Sequence, residues 1–285
     1  MFETRVKDLV LATLVADSYC LGSHWIYDET QLKDLKIDWE NLSKACAIWH
    51  KDTNPGDFTH YGDQAFYLYK FLQNKESFDI NDYVKYWQEK MSIYNGYIDG
   101  ATRDTMLNLE SGQEVPCGSE SHDLSIIGQI TPLLLVSSTK EEFLKNVELF
   151  VKTTHNNTTV VEGANFFATV LLEVLEGADI MDSIVNTKEK YSRTIQTWVQ
   201  EGVASKEEDS FDAIRRFGPA CGIEDGFAGV IHILEKYSNF KEAMINNAKA
   251  GGDNSARGMI IAMLLVARYG AAKIPPAWTS IKVQV

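Results

Sequence analysis

Apolar residues recur at three- and four-residue spacing along most of the chain, the period of helices buried on one face. Val6, Leu9, Val10, Thr13 and Leu14 share such a face, which runs on to Asp17. The same spacing predicts a helix over 62–72, with Ala65, Phe66, Leu68, Tyr69 and Leu72 inward. Helices follow over 80–91, started by Asp79 or Asn81, and over 101–109, stopping near Gly112. An apolar helix over 125–136 is interrupted by Pro132. A helix over 140–153 starts on Thr139 with Glu142 three residues on, a capping-box pattern. The 158–176 helix is long, apolar and closed by Gly177. Helices over 180–197, 223–236 and 240–248 lead to a last apolar run, Met259 to Ala267. Strand-like alternation is rare. The two irregular stretches are about 28–58 and about 200–208, and no composition break or fixed-period repeat appears. One all-α domain of ten or more helices, a compact multi-helix fold over residues 1–285, is the expected architecture.

Composition narrows the function classes. The formal net charge is −13, which argues against binding a nucleic-acid backbone or an anionic membrane surface. The longest unbroken apolar run is about nine residues, short for a bilayer span. The first residues, Met1 to Asp8, are charged and lack a secretory pattern. Cys20, Cys46, Cys117 and Cys221 form no CxxC pair and read as buried free thiols of a reducing compartment. A cytoplasmic location is expected. A monomer is expected too, since no heptad or long exposed apolar stripe is visible.

Candidate chemistry lies where polar clusters interrupt the apolar pattern. In the 250–258 loop, Gly251 and Gly252 allow a tight turn close to a ligand, and Asp253 stands where a helix begins. Asp253 fits two roles, a helix cap and a cation ligand. His60-Tyr61-Gly62-Asp63-Gln64 places Asp63 in a similar position. Two such carboxylates with amide and hydroxyl neighbours suggest a shared oxygen-rich site suited to Mg²⁺. Asp17, near Ser18, Cys20, Ser23 and His24, is either paired, metal-bound or at a partly exposed helix end. The Ser119–Asp123 loop offers amide donors for a phosphate, and Thr154-His155-Asn156 forms a helix junction. The 96–103 segment has glycines but not the spacing of a Rossmann or Walker loop. Neither a GxSxG elbow nor an HExxH helix occurs.

In order and spacing these clusters resemble the ADP-ribosylglycohydrolase superfamily over nearly the whole chain. Val15-Ala16-Asp17 looks like its Gly-Asp motif, and Tyr61-Gly62-Asp63-Gln64-Ala65 like its Tyr-Thr-Asp-Asp-Thr. Thr154-His155-Asn156 is similar to its Thr-His-Pro junction. Gly251-Gly252-Asp253-Asn254-Ser255-Ala256 is similar to its Gly-Gly-Asp-Thr-Asp-Thr, and Ile274-Pro275-Pro276-Ala277-Trp278 to its closing Ile-Pro-x-x-Trp. The resemblance implies a compact all-α fold and Mg²⁺-assisted release of ADP-ribose from a small-molecule or ADP-ribosylated substrate. It implies metal ligation by Asp63, Asp253 and Ser255, and catalytic roles among Asp28, Asp63 and Asp253. Ligand contacts are implied for Asp17, Gly100, Ser119, Ser121, His155 and Asn156.

The departures also carry information. Gly62 and Gln64 stand beside Asp63 where the family has Thr and Asp, and Ser255 and Ala256 stand where it has Asp and Thr. Four metal carboxylates become two, enough for one Mg²⁺ held weakly with waters. The acidic residue expected after the first motif is met only by Asp28, in His24-Trp25-Ile26-Tyr27-Asp28. This variant pattern is similar to a divergent branch that includes lens crystallins. A Mg²⁺-assisted hydrolase of a ribosyl glycosidic bond is therefore the leading expectation. An inactive ligand-binding or structural protein on the same fold is the alternative. A third reading is a metal-free hydrolase of another small substrate using Asp17, His24 and Asp28.

Overall fold

Helix starts along this chain are set by short polar side chains. The computed structural model describes the backbone from Phe2 to Val285 and side chains from Thr4 onward. Its α-helices are α1 (Phe2–Cys20), α2 (Glu29–Asp34), α3 (His60–Leu72), α4 (Ile80–Ser92), α5 (Gly100–Glu110), α6 (Lys140–Thr154), α7 (Thr158–Leu175), α8 (Ile180–Thr187), α9 (Arg193–Ala204), α10 (Ser210–Phe217), α11 (Ile223–Lys236), α12 (Phe240–Lys249) and α13 (Asn254–Tyr269). Thr59, Asp79, Asp99, Thr139, Asn157 and Asp253 each accept a bond from an otherwise unpaired amide of the first turn. Each such cap contributes about 1 kcal/mol. Of the two starts open for α4, the chain uses Asp79. Glu142 reaches back beyond the cap, accepting from Ser138 N at 2.6 Å rather than from Thr139 N as a capping box would.

The core is built around α13, buried from Asn254 to Ala267. Helix α1 lies along it, and α7, α11, α12 and the turn Ser125–Gln129 cover its other sides. An element apolar all round must be enclosed in this way. Trp278 closes one end, stacked on Tyr19 at 3.8 Å and donating from Nε1 to Glu40 O. Helix α7 is long and apolar enough to cross a bilayer by length and composition, but half of it is buried inside the protein. Among the described residues there is no strand, only isolated bridges from Ser119 to His155 and from Asp123 to Gly222.

Four expectations change. The 125–136 segment is not one helix: 3-10 turns over Ser125–Gln129 and Thr131–Val136 meet at Ile130, with Pro132 entering the second. The 180–197 helix breaks at Lys188–Lys190, and Ser192 caps α9, which runs to Ala204 through part of the expected loop. Helices α2 and α10 were hidden by their length of six and eight residues and their many charges. The thiols are all free, but Cys46 is exposed and Cys221 half-buried.

Candidate functional site

The start of α13 is where the signal motifs meet. Gly251 and Gly252 both have positive φ, +66° and +59°. A Cβ on Gly252 would stand 2.1 Å from Pro219 O, and one on Gly251 2.5 Å from Ile26 O. The tight approach is thus to the chain's own backbone. It clamps Asp253 as the α13 cap, with Oδ1 accepting from Ala256 N at 3.3 Å and Oδ2 from Tyr61 Oη at 3.0 Å. His24 Nδ1 lies 3.6 Å from Asp253 Oδ1. Burial pushes the Asp253 carboxyl up, against the charge of Arg257 and the Ala256 and Tyr61 bonds.

Asp17 is buried and paired. Its carboxylate accepts from Thr59 N at 2.8 Å, Thr59 Oγ1 at 2.6 Å and Ser255 Oγ. Burial raises it to about 6 despite those donors. A Cβ on Gly62 would meet Asp17 Oδ2 at 2.3 Å, so the glycine makes room for this carboxylate. Thr59, not Asp63, caps α3. Asp63 lies one turn in and points elsewhere: Lys282 Nζ is 2.6 Å from Oδ1, and Tyr94 Oη donates to Oδ2 at 2.8 Å.

Between these groups lies a packed cluster of rings, the ring chamber, with a cleft that opens beside it. His24, Trp25, His50, His60, Tyr61 and Tyr97 are linked by ring contacts of 4.1–6.4 Å. His50 Nε2 is 3.2 Å from His60 Nδ1, and His60 Nε2 is 3.2 Å from Asp99 Oδ2. Burial alone would raise Asp99, but His60 and the Thr102 amide and hydroxyl hold it below the usual carboxylate range. Burial keeps His24 and His50 neutral, with His50 lowered to about 3. His50 and Tyr97 also floor an open cleft of about 740 Å³ that Trp49, Lys51, Asp63, Tyr94 and Lys282 help to line.

The Ser119–Asp123 loop reaches the same place. Ser119 pairs with His155 through the bridge, Ser119 Oγ accepts from Ser121 N, and Ser121 Oγ accepts from Asp123 N. Asn156 N donates to Ser119 O at 2.7 Å. These residues hold Asp123 rather than present donors outward. Asp123 is driven well above the carboxylate range by burial and by the charges of Asp253 and Asp99. One ligand atom each of Asp123, Cys221 and Asp253 lies within 4.8 Å of the other two. Burial lowers His155 to about 4; its Nδ1 faces Thr154 Oγ1 at 2.8 Å.

The chain matches a family model described as ADP-ribosylglycohydrolase over residues 1–282. It belongs to the ADP-ribosylglycohydrolase family. Among curated relatives, Crystallin J1A and Crystallin J1B of Tripedalia cystophora are each 24% identical over 98% of this chain and 92% of their own. A solved structure titled ADP-ribosylglycohydrolase-related protein complex superposes with a TM-score of 0.78 at 18% identity, covering 97% of this chain and 91% of that one. That likeness shows the fold.

Against the family's expected metal, the residues present do not fit as a set. Asp63 is held by a lysine ammonium and a phenol, Ser255 gives its hydroxyl to Asp17, and Asp253 is a helix cap bonded to Tyr61. Asp63 and Ser255 are thus turned to other partners and do not complete a Mg²⁺ site with Asp253. Asp28 caps the exposed helix α2 by accepting from Gln31 N at 2.7 Å and shares no partner with Asp63 or Asp253. Gly100 is exposed at the start of α5, directly after Asp99. Sequence reasoning missed Asp99, Asp123, His60 and Tyr61, although each sits inside or beside a cluster that drew notice. Cys221, Arg257 and Lys282 carried no local signal.

Proposed function

We propose that this family member hydrolyses a glycosidic bond to an ADP-ribosyl or related ribosyl group, using the ring-lined chamber and its carboxyl pair. The observation that carries the reading is a set of buried polar atoms without a protein partner at and near the ring cluster: His24 Nε2, Trp25 Nε1, His50 Nδ1 and Asp123 Oδ1, with His155 Nε2 behind the Ser119 bridge. Buried polar groups are almost always bonded, so a cluster of unbonded ones marks a place for a polar ligand. Trp49 and Tyr97 offer stacking faces at the cleft, and Lys51 and Lys282 offer positive charge to a diphosphate. Asp123, whose carboxyl is pushed toward the protonated form by burial and by the neighbouring Asp253 and Asp99 charges, is the group to donate to the leaving atom. Asp253, beside the Arg257 cation, is the carboxylate that steadies positive charge on the ribosyl carbon. His60 and Asp99 orient the wall of the chamber.

The test is release of free ADP-ribose, read by mass spectrometry, from N- and O-linked ADP-ribosylated peptides. Turnover by the wild type and a loss of at least about 100-fold in Asp123→Asn is the expected result. No turnover across the panel leaves the second reading, a structural or ligand-binding protein. The engaged oxygens of Asp63 and Ser255 and the likeness to two crystallins favour that reading.

A further inference from the structure

Three chain segments far apart in sequence are locked together at the start of α13. Asp123 and Cys221 lie on either side of the bridge to Gly222, with Leu124 N donating to Cys221 O at 2.9 Å and Ile223 N to His122 O at 2.8 Å. Asp253 N donates to Pro219 O at 2.8 Å, which ties the Cys221 loop to the double-glycine turn. The result is a thiol and two carboxyl groups with ligand atoms within 4.8 Å of one another. Asp253 is buried, while Asp123 and Cys221 are half-buried, so the group is reached from one side.

A second observation bears on what belongs there. Asp123 Oδ1 is buried, its carboxyl almost wholly enclosed, and no donor in the protein reaches it. Around it stand the acidic side chains of Asp253, Asp99 and Glu224, and the one side-chain donor to the Asp123 carboxyl is the Cys221 thiol of the same cluster. Its Oδ1 is left open, where a purely structural carboxylate is fully bonded. Arg257, fully buried beside Asp253, directs Nε to Asn247 Oδ1 and Nη2 to Gly251 O, and its Nη1 has no partner. Two carboxyl groups and a thiol converging beside this one cation would give up their protons to a divalent ion, which they complement in charge.

We infer that Asp123, Cys221 and Asp253 form a site for one divalent cation of the borderline-to-soft class, Zn²⁺ or Cd²⁺ rather than Mg²⁺. A thiolate among the ligands selects against hard cations, which take oxygen alone. Ligands at about 2.0–2.3 Å from a tetrahedral ion stand roughly 3.3–3.8 Å apart, so closure asks the separations to shorten by up to about 1.5 Å. The site differs from the set the family resemblance implies, sharing only Asp253 with it, and it does not depend on hydrolysis.

The experiment is a Cd²⁺ titration of the full chain carrying Cys46→Ser, which removes the exposed thiol, followed by thiolate-to-cadmium absorption in the ultraviolet. One band saturating at one ion per chain is expected, undiminished by a hundredfold excess of Mg²⁺. Cys221→Ser, near-isosteric, abolishes the band. Asp123→Asn weakens Cd²⁺ binding at least tenfold with an unchanged circular dichroism spectrum. Absence of a band at equimolar Cd²⁺, or a band that persists in Cys221→Ser, overturns the assignment. The ion would hold the same Asp123 and Asp253 that the proposed hydrolysis uses, so ADP-ribose release is read separately in the metal-free protein, and its failure leaves the cadmium band unaffected.

Discussion

Two groups of buried histidines in this molecule are built differently. His232, on α11, has both ring nitrogens engaged, Nδ1 with Ser205 Oγ at 2.7 Å and Nε2 with Ser210 Oγ at 2.9 Å. Ser210 continues to Tyr237 Oη at 3.0 Å, which makes a closed polar knot inside an apolar wall. His24, His50 and His155 each have one nitrogen bonded and one buried without a partner. The lone hydroxyls of Ser18, Tyr69, Thr131 and Ser183 are also unpartnered, but they are scattered. The His24 and His50 rings, 5.2 Å apart, leave nitrogens open within one cluster. The knot shows that this chain satisfies a histidine where only folding is at stake. On the function proposed above, the open nitrogens are where a ligand would complete the structure.

The strongest way to break this comparison is to remove the knot. His232→Ala deletes two hydrogen bonds and leaves a cavity, so unfolding free energy should fall by about 3 kcal/mol or more, measured in urea. ADP-ribose affinity of the folded variant should be unchanged. A chamber histidine should behave in the opposite way. His50→Phe puts a slightly larger apolar ring in place of the imidazole and removes the unpartnered nitrogen and the single bond to His60, so stability should fall by only about 1–2 kcal/mol. ADP-ribose binding should weaken at least tenfold by calorimetry. If His50→Phe destabilises as much as His232→Ala, the distinction fails.

Acid sharpens the same contrast. His232 and His155 are each lowered to about 4 by burial, and His50 to about 3. Between pH 6.5 and 4 the unfolded chain binds protons at these rings and the folded chain does not. Their stabilising contribution is therefore complete above pH 6.5 and is lost as pH falls toward 4. Asp17, raised to about 6, acts in the other direction between 3.8 and 6. The difference between wild type and His232→Gln isolates the knot, with the slope reduced by about 1.4 kcal/mol per pH unit in that window. The smallest effect belongs to Lys282→Met. Its ion pair with Asp63 is partly exposed, so the cost should be about 0.5–1 kcal/mol in thermal or urea unfolding.

The sequence made the scaffold legible because its signals are local. The Thr139, Asn157 and Asp253 starts, the Gly177 stop and the period of α1, α3, α4 and α7 are written within a few residues of where they act. Breaks set by tertiary packing were not, as at Ile130 and at Lys188–Lys190. The site was legible in its clusters but not in its pairings. Asp17 with Ser255 and Thr59, and Asp63 with Lys282, join residues 42 to 238 positions apart. No spacing rule reads a partner at that distance. Gly62 is the instructive case: its missing side chain counts as a lost ligand in the motif, while in the fold it is the space that Asp17 fills.

The most direct test of the account is calorimetry of ADP-ribose binding to the wild-type chain, once in EDTA and once in Mg²⁺. The chamber reading predicts binding in EDTA with an affinity that Mg²⁺ leaves unchanged, because the ligand meets His24, His50, His155 and Asp123 and Lys282 already occupies Asp63. Absence of binding in both conditions, or binding that appears only with Mg²⁺, would contradict it.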